Sequence, residues 1–458
     1  MMKLRIIPPA LALMAILFPS VYASGQPWRP AIERFRLENG LSVILHRDTS
    51  FDRVHVAMAF HSGSSLDPAG KSGTASLTAS LMLEGTRTIT SDATEKFQRE
   101  TQTNFSSLTD GDCTTFFSTS HTSNLRTILS IEADRLAHVA DHFTEARFKG
   151  LVSDVLAQRK KQKNLPLDGL DARMREELYP KKHPYCKPIE GTTEDISKLR
   201  LADLKDFALK YYHAGNASLV IGGNIDLDHA RAMIQELFRM PAGKTGRIPS
   251  IKVAAPQNLG QVVVTSEANV GYSRLIMVFP TVNSSSPDEP VFQLAARILA
   301  GSINSRLRSK LADINPYVVS VDAYQATDLL SGAFWITVNC RYETPLQGIH
   351  DRVLEILEDM AVNGVTENEL AEARNRSEMS FYTSAEELAG PGGRCDMLNT
   401  GNLFFGDPFH SFAMRESQSK VNSTAVQLCI QRFLHRNNLL ATSIVPLGKL
   451  GQAVVLQK

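Results

Sequence analysis

Apolar and polar positions along the first half of the chain switch between a two-residue and a helical period. Phe35 to Leu37, Asn39-Gly40 and Leu41 to Leu45 read as strand, tight turn and strand, because Asn-Gly accepts the positive φ angles of a short hairpin loop. Val54-His55-Val56-Ala57-Met58-Ala59-Phe60 reads as a further strand. A Gly/Ser/Pro/Asp loop covers Ser64 to Gly73, and Thr74 to Leu83 then reads as a helix closed by Gly85. Leu125, Ile128, Leu129, Ile131 and Leu136 recur at helical spacing within Asn124 to Phe143. Helices follow over Glu145 to Lys163, Leu201 to Tyr212 and Asp228 to Phe238, and Ala217 to Ile221 is a strand ending at Gly222-Gly223.

Between Pro241 and Gln257 prolines and glycines lie among polar residues with no period, which marks a linker. Beyond it the order restarts. Gln261 to Val264 and Ser273 to Phe279 read as strands, Asn283 to Pro290 as a polar loop and Val291 to Leu299 as a helix. A long helix over Gly348 to Met360, a second over Glu367 to Ser384, a polar loop, a third helix over Thr424 to Leu434 and a strand over Ala441 to Val445 complete the series. Phe60 and Phe279 stand at the same point of two series, each strand, polar loop and helix. Two diverged copies of one α+β unit are therefore expected, related by a pseudo-twofold axis, over residues 24–240 and 258–458 with a linker at 241–257.

The first residues change the picture of where the protein works. Lys3 and Arg5 precede an apolar run from Ile6 to Phe18, and Val21-Tyr22-Ala23 offers small residues at the two positions a signal peptidase reads. A signal peptide over 1–23 and an exported, periplasmic mature chain are expected. The run is shorter than the ~20 apolar residues of a helical span, and no later stretch is apolar enough to cross a membrane. The 458 residues carry 49 basic and 48 acidic side chains and are 43% hydrophobic, so no basic field for nucleic acid exists. The five cysteines are odd in number and widely spaced, with no CxxC pair, which favours buried free thiols over a disulfide framework.

Several segments, in order, carry a resemblance. His61-Ser62-Gly63-Ser64-Ser65-Leu66-Asp67-Pro68-Ala69-Gly70-Lys71-Ser72-Gly73 precedes the first helix, and Glu84-Gly85-Thr86 follows it. His183-Pro184-Tyr185, Gly191-Thr192-Thr193-Glu194-Asp195-Ile196 and the run Tyr211 to Gly223 come later. Together they resemble the M16B branch of the M16 (insulinase/pitrilysin-type) zinc peptidases, over nearly all of the mature chain. The resemblance implies two homologous domains, each an antiparallel-rich mixed sheet with helices packed on one face. Active members carry H-x-x-E-H on the first helix, two histidines on one helical face binding zinc and a Glu activating water. Ser76 and Ser80 occupy those His positions here, and Ala79 the Glu position. The third ligand of active members is a Glu in a later helix, in a run resembled by Val155 to Gln162. Gln158, or Ala157, stands in its place. Hydroxyls and an amide are poor zinc ligands and Ala has no base, so no cofactor is expected in this chain, and zinc only in a partner subunit.

Some M16B enzymes divide the work between two subunits, the second supplying an Arg/Tyr pair for the substrate. The run Ser305 to Tyr317 resembles that element but is two residues short and has Ala312 at the Arg position, leaving Tyr317, Arg306 and Arg308 as candidates. Other motifs carry less. His138 and His142 of His138-Val139-Ala140-Asp141-His142 read as solvent-facing, Asp110-Gly111-Asp112 as a polar turn, Gly390-Pro391-Gly392-Gly393 as a hinge or loop, and Arg159-Lys160-Lys161 as a solvated helix face. The expected function is a non-catalytic subunit that pairs with a zinc-bearing M16B homologue and offers surface to an extended peptide. A stand-alone exported peptide-binding or assembly protein, and a purely structural subunit, are the alternatives.

Overall fold

The computed structural model describes residues 28–163, 166–240, 259–312, 316–342 and 344–455. The expected signal peptide and the whole of the expected linker lie outside them. In chain order the strands are β1 (Glu33–Arg36), β2 (Ser42–Arg47), β3 (Arg53–Phe60), β4 (Asn104–Thr109), β5 (Thr114–His121), β6 (Ala217–Gly223), β7 (Gly260–Ala268), β8 (Tyr272–Thr281), β9 (Val318–Thr327), β10 (Gly332–Arg341) and β11 (Asn438–Pro446). The helices of the first half are α1 (Thr74–Leu83), α2 (Ser91–Thr101), α3 (Leu125–Ala137), α4 (Glu145–Gln162), α5 (Leu170–Leu178), α6 (Thr193–Lys198), α7 (Leu201–Tyr211) and α8 (Leu227–Leu237). Those of the second are α9 (Glu289–Ala300), α10 (Gln347–Asn363), α11 (Glu367–Glu386), α12 (Arg394–Phe405), α13 (His410–Ser417) and α14 (Ser423–Phe433).

The strands form two sheets of one topology. The first runs β1-β2-β6-β3-β5-β4 and the second β7-β11-β8-β10-β9, so the second repeats the first without its edge strand. In each sheet the β2·β6 or β7·β11 pair is parallel, and the remaining shared pairs are antiparallel. The repeat extends to single side chains. Asn216, at the start of β6, donates through Nδ2 to the carbonyls of His61 (3.0 Å) and Tyr211 (2.7 Å). Asn438, which opens β11, makes the same pair of bonds to Pro280 (3.1 Å) and Phe433 (2.9 Å). Two copies of one unit, each a mixed sheet with helices, are thus present.

Each half covers one face of its sheet with its own helices. Residues of α1, α3, α7 and α8 build the first core on Val43, Leu45, Val56, Met58 and Phe60. Residues of α9, α10 and α14 build the second on Leu275, Met277, Phe279 and Phe334. The opposite faces are covered across the molecule. Cys395 and Leu398 of α12 and Phe412 of α13 bury Ile44, Ala57 and Val220 of the first sheet. In return Leu170, Met174 and Leu178 of α5 lie on Val264, Val278, Ala333, Leu440 and Ile444 of the second. The segment expected as a polar loop between Ser384 and Thr424 therefore contains α12 and α13. Their approach is close. A Cβ on Gly222 in β6 would collide with the Cys395 sulfur, so only glycine fits there.

Polar groups tie the two halves together as well. Asn402 of α12 donates to the hydroxyls of Ser42 (2.8 Å) and Ser218 (2.6 Å) in the first sheet. Buried Tyr185 gives its hydroxyl proton to Asp112 (2.5 Å) and accepts from the Leu330 backbone N–H (3.2 Å). Asp110-Gly111-Asp112 is the β4–β5 turn, as its composition predicts, with Asp110 accepting from the Asp112 and Cys113 N–H groups (2.7 and 2.6 Å). All five cysteines are buried and free. Among the described residues no helix is long and apolar enough to cross a membrane.

Candidate functional site

The first helix is held at its N-terminus by three carboxylates. Asp67 accepts from the Gly73 and Ala75 N–H groups at 2.7 and 2.8 Å, satisfying donors that a helix leaves unpaired. Burial pushes the Asp67 carboxyl up to about 7, against the pull of those donors. Asp195 accepts from the Ser72 hydroxyl (2.5 Å), and Asp203 pairs with Lys71 (2.6 Å). Gly73 and Gly191 pass back to back. Both have positive φ (+91° and +76°), and a Cβ on Gly73 would sit 2.7 Å from the Glu190 carbonyl. Arg159 of α4 donates to that same carbonyl at 2.8 Å, so it braces the loop where a solvated side chain was expected. The two glycine-centred sequence segments thus form one clamp that sets α1 beside α4, with which it packs.

On this braced helix Ser76 and Ser80 are partly exposed on one face, four residues apart, while Ala79 is 2% exposed. The Ser80 hydroxyl donates back to the Ser76 carbonyl at 3.1 Å. Gln158 is exposed on α4, and the apolar residues Leu151, Val152, Val155 and Leu156 of that helix pack against the core. Two hydroxyls, a methyl group and a carboxamide stand at the four positions, a donor set that does not fit zinc. Among the described residues no group of three or more His, Cys, Asp and Glu side chains is placed to hold a metal ion. His142 is not solvent-facing: partly buried, its Nε2 meets the Leu81 carbonyl at 3.0 Å, and burial lowers its pKa.

In the second half the three candidate substrate residues part company. Arg306 is 12% exposed and already engaged. Its guanidinium donates to both oxygens of Glu369 (2.6 and 2.9 Å), to Asp359 (3.2 Å) and to the Gly364 carbonyl (2.9 Å). Arg308 opens a short π-helical turn, Arg308–Ala312, and is exposed. Tyr317 is 55% exposed just before β9, against which that turn packs, and its carbonyl accepts from the Arg341 N–H at 2.8 Å. Arg306 therefore ties the turn to α10 and α11, and Arg308 and Tyr317 are the side chains presented outward.

The bond from Arg306 holds the Glu369 carboxyl down at about 2. A carboxyl with a lowered folded pKa adds stability above its unfolded value of about 4.3, and that stability is lost as pH falls toward 2. Glu369→Gln is expected to cost about 1–3 kcal/mol at pH 7, discounted for partial exposure. The gap from the native chain should shrink between pH 4.5 and pH 3, as urea midpoints at the three pH values will show.

Comparison with known proteins agrees with this geometry. Residues 42–192 match the family described as insulinase (peptidase family M16), and residues 198–377 match the peptidase M16 inactive domain. An uncharacterized zinc protease of Rickettsia felis is 22% identical over 77% of this chain and 84% of its own length. The crystal structure of a protease from Helicobacter pylori superposes with a TM-score of 0.82 at 17% identity, over 92% of this chain and all of that one. The periplasmic protease PqqL of Escherichia coli gives a TM-score of 0.72 at 15% identity, covering 91% of this chain and 48% of the longer protein. The two matched regions together run from residue 42 to residue 377, through the first repeated unit and into the second, and the chain belongs to peptidase family M16.

Proposed function

We propose that this chain is the non-catalytic subunit of a heteromeric M16B-type peptidase, exported to the periplasm, where it offers substrate-binding surface to a zinc-bearing homologue. The observation that carries this reading is the contrast between frame and donors on α1 and α4. Asp67, Asp195, Asp203 and the Arg159–Glu190 contact hold the two helices in place, yet none of the four side chains can bind zinc or activate water. A fold that keeps the frame without the chemistry retains a use for the shape, and in this family that shape receives an extended peptide. Tyr317 and Arg308 are the groups assigned to the substrate, Tyr317 as donor to the developing oxyanion.

The test is co-purification of the native chain from its source, followed by peptidase assays on the reconstituted pair. A zinc-bearing homologue is expected to co-purify, and this chain to raise its activity. Tyr317→Phe should lower that activity by about 10²–10³ without weakening assembly, since removal of an oxyanion donor has that effect. Full activity in the Tyr317→Phe pair would reduce the Tyr to a structural role. Failure of any zinc-bearing homologue to bind would leave the chain a stand-alone peptide-holding protein.

A further inference from the structure

The internal repeat assigns a counterpart to each erased metal position. On α1 the partly exposed residues are Ser76, Ser80 and Leu83; on α9 they are Gln293, Arg297 and Ala300, with the same spacing. Helices α4 and α11 align through their caps. The Thr144 and Thr366 hydroxyls each accept the N–H of the third residue on, at 3.3 and 3.2 Å, and Phe148 and Leu370 are buried at matching positions. Gln158 then corresponds to Ser380. Contact supports the correspondence: Arg297 Nη2 donates to the Ser380 hydroxyl at 3.1 Å. The places of the three metal ligands therefore converge in the second half too, as Gln293, Arg297 and Ser380.

These residues line an open cavity of about 640 Å³ between α9, α11, α12 and α13 of the second half. Its chemistry is that of a cation awaiting an anion. Arg297 makes no ion pair among the described residues, and its bond to Ser380 lies at a solvent-exposed place that a ligand can reach. The other charged groups around it are occupied. Arg415 pairs with Glu378, and its Nε has no partner among the described residues. Glu289 is 8% exposed, accepts from Gln293 at 2.7 Å, and is pushed toward its neutral form by burial. Ser377, Ser380 and Ser384 add hydroxyls along one face of α11, and Phe381 adds an apolar wall. Stacked Phe405 and His410, with ring centroids 3.5 Å apart, add another.

We infer that this cavity is a carboxylate-binding subsite for peptide, with Arg297 as the group that binds the charge. The inference rests on the peptide-holding reading above and names the chemical class that the second half prefers. A guanidinium presents five N–H donors in a fork that matches a carboxylate, and only one of them is used by Ser380. The carboxylate comes either from the peptide's C-terminus or from an internal Asp or Glu.

Calorimetric titration of the full chain with three versions of one ten-residue extended peptide tests this. One version is neutral and amidated, one has a free C-terminal carboxylate, and one is amidated with an internal Glu. One or both acidic versions should bind at least about tenfold tighter than the neutral one, and which of them does identifies the source. Arg297→Gln should abolish the difference without changing the melting temperature, and Arg297→Lys should restore part of it. Equal binding of all three, or a difference that survives in Arg297→Gln, overturns the subsite while leaving peptide holding in place. If no version binds, the peptide-holding reading falls and this inference falls with it.

Discussion

Replacing Ser76 and Ser80 with His and Gln158 with Glu is expected to give a chain that binds one zinc ion tightly, where the native chain binds none. The reason lies in the clamp around Gly73 and Gly191. Two histidines four residues apart on a helix share a face, and α1 is already fixed beside α4 by Asp67, Asp195 and the Arg159–Glu190 contact. Little reorganisation should therefore oppose binding. Metal affinity of such a site is folding free energy, so added zinc should raise the melting temperature of the triple variant and not of the native protein. Adding Ala79→Glu supplies the missing base but not a ligand, and should change affinity little. Because Ala79 is 2% exposed, a carboxylate there should also lower stability in the metal-free state. Elemental analysis after gel filtration decides the matter. A triple variant with no bound zinc would mean that the ligand face of α4 has turned away from α1.

The elements carried by strong local signals were legible in the sequence. Thr74–Leu83 was readable to the residue, since its start follows a Gly-ended loop and its end meets Gly85. The β1–β2 hairpin followed from Asn39-Gly40, where Gly40 indeed has φ of +93°. Strands β4 and β5 were not read, because Ser and Thr dominate Asn104–Thr109 and Thr114–His121, and their pairing comes from neighbours rather than from apolar alternation. Helices α12 and α13 were hidden for a related reason. The buried residues of α12 include Arg394, Asn399 and Asn402, polar groups that become acceptable only when another half of the molecule supplies their partners. The side chains at the four candidate metal positions, Ser76, Ala79, Ser80 and Gln158, could be named from the sequence alone. The role of Arg306 could not, because its partners Asp359 and Glu369 lie more than fifty positions away.

The other large effect concerns separation of the halves. Residues 28–240 produced alone should be insoluble, and should become soluble when 259–458 are co-expressed. Without α12 and α13 the first sheet exposes Ile44, Ala57 and Val220 together with the partly buried Phe117. Without α5 the second exposes Val264, Val278, Ala333, Leu440 and Ile444. Burial of one such aliphatic side chain is worth about 1.5–3 kcal/mol, and whole domains are stable by only about 5–15 kcal/mol. Losing one face therefore removes a large part of the total. The hydroxyls of Ser42 and Ser218 would also lose Asn402. Soluble fraction and gel filtration of each half, alone and together, provide the measurement. A soluble 28–240 fragment with a cooperative melting transition would refute the mutual dependence.

Cys395 gives this arrangement a built-in clock. Its sulfur lies against Gly222 with no exposed surface, and burial pushes its thiol up to about 12, so in the closed molecule it is neither accessible nor ionised. An alkylating reagent can reach it only during excursions that lift α12 off the first sheet. The labelling rate at Cys395, followed by mass spectrometry, thus counts how often the molecule opens, and a peptide that bridges the halves would slow the count without any change to the chain.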